Sequence, residues 1–327
     1  MIIRFADKND REKIVEFLKE NWNKNHILVT SPMMFEYQYM KQAECGFVIA
    51  EDEGKIYGIK GYLPLNNSQN PDITAALAIS KNKERPMLNI EMQRFLEKQT
   101  SCRMSYSLGL NPNTVARIYP RFKYTVDKLN HYYRLADTEK FSIARIENNN
   151  RLTVSNKGLD AKQLNTPEEM LHHFNPDDFK DNLPYKDFDY INYRYYSHPV
   201  YKYKIYGLEN TLIVTREIEL NSSKVIRIVD LLGKRSNFAN AGKWIDSLLI
   251  EREAEYIDFS CYGLPHEYLT RAGFSLRDSA DPNIIPNYFE PYELKNVDIN
   301  FFTNITQDIL LCKADGDQDR PSRIPEV

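Results

Sequence analysis

The chain has 327 residues, enough for two domains of ~100–200 residues and for a core that needs neither disulfides nor a structural metal. Its 43 Lys and Arg against 46 Asp and Glu give a net charge of −3, which lacks the basic excess of a general nucleic-acid binder; no apolar run approaches the ~18 residues of a membrane span. The opening MIIRFADKNDREK is charged rather than leader-like, and Cys45, Cys102, Cys261 and Cys312 form no C-x-x-C pair, so a cytoplasmic protein with reduced thiols is expected.

In chain order, residues 2–6 read as an apolar strand, and Ile14, Phe17, Leu18 and Trp22 then recur at helical spacing. Ser31-Pro32 opens a second helix. Strands over 46–51 and 55–65 flank the acidic turn Asp52-Glu53-Gly54, a hairpin signal. A strand over 72–80, a helix over 86–99, a strand over 103–108 and a short helix from Asn111-Pro112 to Tyr119 follow, and a strand over 125–135 closes this half. The polar stretch 147–150, with three asparagines, marks the boundary between domains 1–147 and 148–327. Beyond it, Thr166-Pro167 starts a helix and 189–196 is an aromatic helix or turn. Strands are expected over 203–207, 211–219, 225–232, 256–261 and 307–313, with helices over 237–250 and 265–272. The two halves share an element order, which reads as a diverged internal duplication.

That order resembles the GCN5-related N-acetyltransferases (GNAT). In that family a loop of pattern Q/R-x-x-G-x-G/A opens a helix whose free N–H groups bind the pyrophosphate of coenzyme A. Here Lys83-Glu84-Arg85-Pro86-Met87-Leu88-Asn89 has the place and length of that loop without its glycines. A second family signature, N-x-x-A-x-x-L-Y-x-x-x-G-F, is matched in altered form from Asn111 and Asn113 through Ala116, Ile118 and Tyr119 to Lys123-Tyr124. The second half keeps Gly273-Phe274 but has Leu269 where the tyrosine would stand, and its loop region 233–237 is basic and polar. The resemblance implies an α/β (α+β) chain of tandem GNAT-like domains, each a central mixed, mostly antiparallel sheet flanked by helices. The stretches 128–134, 284–291 and 314–321 further resemble two-domain GNAT-like proteins encoded with bacterial surface-polysaccharide genes. That resemblance implies acylation of an amino sugar.

The implied site has Tyr119 as the acid that protonates the leaving thiolate and His131 as a base for the attacking amine. Acetyl-CoA would lie on Leu77, Ile79, Arg85, Pro86, Met87, Leu88, Asn89, Asn111 and Asn113. His198, Asn287, Tyr288, Glu290, Asp315, Asp317 and Arg320 would contact a small-molecule amino-sugar or nucleotide-sugar acceptor. Each has a plainer alternative: Tyr119 as a packed ring, His131 as a satisfied sheet histidine, and the acidic tail as a solvated end. The Asp315-Gly-Asp317-Gln-Asp319 run has Arg320 where a calcium loop needs Gly, so no metal is expected. The reading is an acetyl-CoA-dependent N-acyltransferase, possible as a monomer, with neither nucleic-acid nor membrane-spanning partners. The alternatives are a non-catalytic acyl-CoA or sugar-binding module, and an aminoacyl transferase of the Fem type.

Overall fold

The computed structural model describes residues 1–41, 44–81, 85–113, 115–155 and 158–323. The chain divides into two compact units. One comprises Met1–Val126, Phe301–Thr306 and Gly316–Val327, the other Asp127–Asn300 and Gln307–Asp315.

In the first unit, alternating apolar residues build β1 (Ile2–Asp7), β2 (Glu44–Asp52), β3 (Lys55–Pro64), β4 (Asp72–Ser80) and β5 (Met104–Leu108). The sheet runs β1-β2-β3-β4-β5, then a late strand, Asn300–Thr303, and then β6 (Thr125–Lys128). Glu53 and Gly54 turn between β2 and β3 with φ of +47° and +78°, the left-handed pair that a two-residue hairpin needs. β4 and β5 are parallel, so a crossover must join them, and α3 supplies it. Its predecessors are α1 (Arg11–Asn21) and α2 (Pro32–Tyr39), the latter capped by Ser31 as its sequence suggests. Helix α3 (Leu88–Thr100) buries Leu88, Met92 and Leu96 against Val48, Ala50, Ile73 and Ala75. A single turn, α4 (Val115–Ile118), runs into a 3-10 turn, Tyr119–Phe122.

The second unit repeats the plan. Its sheet contains β7 (Asn130–Leu135), β8 (Lys162–Leu164), β9 (Tyr203–Gly207), β10 (Thr211–Leu220), β11 (Ser223–Gly233), β12 (Ala254–Tyr262) and β13 (Ser275–Arg277). Their order is β8-β9-β10-β11-β12-β7-β13, and β11 and β12 are the parallel pair. Helices α5 (Pro167–His173), α6 (Gly242–Arg252) and α7 (His266–Arg271) flank it. Trp244, Ile245, Leu248 and Leu249 of α6 join the core with Ile228, Ile257 and Phe259.

Three expectations need correction. The strand expected over 125–135 is two strands in two sheets: β6 is half exposed, as an edge allows, whereas all of β7 after Asn130 is buried, as a central strand requires. The chain therefore changes unit between Val126 and Asp127, not at 147/148. The polar stretch at that expected boundary is tied into the second unit, where the Glu147 and Asn148 N–H groups donate to Asn283 Oδ1 at 2.8 and 2.9 Å. The strand expected over 307–313 shortens to Leu311–Cys312. Among the described residues no helix is long and apolar enough to cross a membrane.

Candidate functional site

In the first unit the parallel ladder between β4 and β5 is short. It pairs Asp72, Ile73 and Thr74 with Met104, Ser105 and Tyr106. On the other side of β4, Lys60 faces Ala78 and Gly61 faces Ala76, which leaves Leu77 as the extra residue of a bulge. Leu77 has φ +50°, a conformation costly for a side chain with a Cβ. Its N–H is bonded at 3.0 Å to Asp317 Oδ2, from a segment 240 residues away in sequence. That segment also follows β5: a Cβ on Gly316 would lie 2.6 Å from the Leu108 Cβ, and one on Gly109, at φ +85°, would meet Gln318 Nε2. Further along, the Ser322 carbonyl accepts the Ile27 N–H at 2.8 Å. The tail thus lies against both strands where their ladder has ended.

Tyr119 lies in the same unit, 1% exposed, with its ring stacked on Phe302 at 4.1 Å. Its hydroxyl oxygen accepts a hydrogen bond from Lys60 Nζ at 3.3 Å. Burial pushes the phenol well above its ordinary range. Burial also brings the Lys60 amine down to about 7, with Glu97 pulling weakly the other way. Glu97 is itself bound by Gln93 Nε2 at 2.9 Å and by the Tyr124 hydroxyl at 2.8 Å. Sequence reading missed Lys60. Its signal was a lone lysine within the apolar strand run Ile56-Tyr57-Gly58-Ile59-Lys60-Gly61-Tyr62-Leu63.

In the second unit the corresponding ladder, between β11 and β12, ends at Ile228 and Phe259. There the filling is more extensive. Cys312 and Leu311 pair with Cys261 and Tyr262 in an antiparallel ladder, and Asp315 Oδ1 meets Lys186 Nζ at 2.7 Å. Lys186 also binds Asp230 Oδ2 at 2.6 Å. Burial disfavours the Lys186 charge, but the two carboxylates outweigh it and hold the ammonium protonated. Asp230, Cys312 and Asp315 place ligand-type atoms within 4.8 Å of one another, with the Lys186 ammonium already bonded to both carboxylates. A second buried group joins β7, β11 and β12. His131 Nε2 lies 2.9 Å from Asp258 Oδ2, and Arg227 binds both oxygens of Asp258. Burial lowers the His131 pKa against the pull of Asp258, while Arg227 and His131 hold the Asp258 carboxyl far below its ordinary range despite burial.

The sequence-selected residues therefore fall into two groups. Leu77, Ile79, Arg85, Pro86, Met87, Leu88, Asn89, Asn111, Asn113, Tyr119, Asp317 and Arg320 belong to the first unit; His131, His198, Asn287, Tyr288, Glu290 and Asp315 belong to the second. Lys83 and Glu84 lie outside the described residues. Ile79 pairs with Ile59, Arg85 binds Glu91, and Asn111 Oδ1 accepts the Asn113 N–H at 2.9 Å. Helix α3 begins at an N-cap, Met87, that makes no side-chain capping bond, and Pro86 and Met87 are exposed. Arg320 lies 3.7 Å from Asp317. In the second unit, His198 Nδ1 accepts the Tyr201 N–H at 2.9 Å, and Glu290 accepts the Tyr201 hydroxyl at 2.8 Å. The Asn287 carbonyl accepts Lys313 Nζ at 2.8 Å, and Tyr288 has that ammonium 5.9 Å from its ring centre. The structure brings together Leu77 with Asp317, and Tyr119 with Lys60.

A scan against protein-family models and a search of curated sequences find no match. Solved structures do match. A GCN5-related N-acetyltransferase from Anabaena variabilis ATCC 29413 superposes with a TM-score of 0.51 at 10% identity, over 92% of this chain and 72% of its own. A protein from Enterococcus faecalis V583, described as a conserved protein of unknown function and probable N-acyltransferase, gives 0.53 at 11% identity, over 94% and 74%. The chain has the GNAT fold. Since each superposition spans more than nine-tenths of the chain, the likeness takes in both units.

Proposed function

We propose that this GNAT-fold chain is an acyl-CoA-dependent N-acyltransferase whose donor site lies in the first unit. The observation that carries the reading is the Leu77 bulge, which directs a backbone N–H to the place where β4 and β5 cease to pair. The Asp317 oxygen on that N–H shows that the position accepts an oxygen atom, as a thioester carbonyl would require. The first turn of α3 fits a pyrophosphate by the same logic of unfilled donors. Pro86 has no N–H and the Leu88 N–H already bonds to the Arg85 carbonyl at 3.0 Å, so Pro86 and Leu88 drop out of the assignment as backbone donors. Acetyl-CoA would supply an activated acyl group. The chain's own contribution is to position that donor and to manage protons through Tyr119 and Lys60. In the second unit the laddered strand Leu311–Cys312 and the Lys186 ion cluster occupy the corresponding place, which favours the first unit as the donor site. The acceptor reading, an amino-sugar amine in surface-polysaccharide synthesis, rests on the resemblance of stretches 128–134, 284–291 and 314–321.

The Asp317 carboxylate at Leu77 also favours a second reading, a GNAT-fold module that does not catalyse. Incubating the protein with acetyl-CoA and a panel of amino-sugar nucleotides, followed by mass spectrometry of the products, separates the two. An acetylated amine is expected. Coenzyme A binding by calorimetry with no acetylated product would move the assignment to the non-catalytic module.

A further inference from the structure

The acyl-donor reading leaves one feature of the first unit unused: the segment that occupies the end of the β4–β5 ladder. We propose that residues 316–322 form a displaceable internal plug, which competes with the acyl donor for the Leu77 N–H and must leave before the donor binds. This rests on the donor reading above.

Three observations support displacement rather than permanent structure. First, the plug holds β4 through a side chain. Asp317 Oδ2 bonds to the Leu77 N–H at 3.0 Å, and no backbone ladder to β4 or β5 is formed by the described tail residues. A permanent sheet member would satisfy the open edge with main-chain bonds, as Leu311–Cys312 does beside β12 in the second unit. Second, the carboxylate that makes the contact is 35% exposed, so water can take over its hydrogen bonds as it leaves, whereas Asp319 and the Arg320 side chain of the same segment, 1% and 5% exposed, gain water only when the whole segment moves. Third, the bond falls on a residue with a left-handed backbone, at φ +50°. Such a conformation is retained where surrounding structure or function demands it, and here it aims a donor at the gap. The plug offers that donor a carboxylate oxygen, the same acceptor chemistry that a thioester carbonyl presents.

If the plugged form predominates, the apparent affinity for the donor is reduced by the fraction of open molecules. Removing the carboxylate should raise that fraction, since a charge-assisted hydrogen bond is lost from the closed form alone. Acetyl-CoA binding by calorimetry to the wild type and to Asp317→Ala, in the absence of any acceptor, tests this in the full-length chain. The variant is expected to bind roughly tenfold more tightly, the fold-change that loss of one such bond allows. Hydrogen exchange followed by mass spectrometry supplies a second measurement. In the wild type, acetyl-CoA should raise exchange over 316–322. Equal affinities, with unchanged exchange in the tail, would overturn the plug while leaving the donor reading intact. Absence of acetyl-CoA binding in both proteins would overturn the donor reading, and the plug with it.

Discussion

Lys60 carries an amine into apolar surroundings, and its proton is the cost. Its pKa falls from 10.5 to about 7 in the folded chain because burial penalises the charge. Between those values the unfolded chain holds more protons, so this residue makes stability rise with pH through that window and penalises the fold fully below it. Lys60→Met should therefore stabilise the protein by roughly 1–4 kcal/mol at pH 6, with a smaller gain at pH 9, in urea unfolding. A gain independent of pH would show that the amine is not the source. If the donor reading holds, the same variant loses activity, because the lysine hydrogen bond eases ionisation of the Tyr119 phenol, which burial otherwise opposes. Tyr119→Phe removes the phenolic proton and keeps the ring on Phe302. Its turnover should fall ~10²–10⁴-fold with coenzyme A affinity unchanged, and wild-type turnover would assign Tyr119 to packing alone.

Elements show where sequence patterns suffice. β4 and β9 were legible to the residue, because runs of alternating or continuous apolar residues end at turn formers. The α2 start was legible from Ser31-Pro32 for a local reason, the cap and the fixed proline φ. Helix α6 starts late because 235–240 first coils as a 3-10 turn, a distinction that hydrophobic spacing does not carry. Least legible were partners remote in sequence, such as Asp317 with Leu77 or His131 with Asp258. His131 looked like a base because it follows Tyr119 in the chain, yet its strand belongs to the other sheet. There Asp258 compensates Arg227, a guanidinium 2% exposed that also donates to the Asn287 and Pro286 carbonyls. Asp258→Asn should cost about 3–5 kcal/mol in chemical denaturation, since it leaves that charge without its carboxylate. A loss below 1 kcal/mol would show that the carbonyls and water suffice for Arg227.

At the scale of the whole molecule, the chain exchanges one strand between its two sheets. In the first, the place beside β5 is taken by Asn300–Thr303, from the far end of the sequence. In the second, the equivalent place beside β12 is taken by β7, which follows directly on the first sheet's β6. Both strands are antiparallel to the neighbour they cover. A cut at the apparent linker, giving residues 1–147, therefore leaves β5 with an open edge and β7 with no sheet. Phe301 and Phe302, both fully buried, would also be missing from the first core. Open apolar edges pair with other chains, so this fragment should aggregate and show no cooperative thermal transition. Residues 1–128 joined by flexible linkers to 300–306 and 316–323, leaving out 307–315, which belong to the second unit, contain every strand of the first sheet, and this chain should melt cooperatively. The contrast between the two pieces is the test. Were 1–147 to melt as a single transition, the edge of β5 would not need its late partner, and the strand exchange would be an accessory to the fold rather than a requirement.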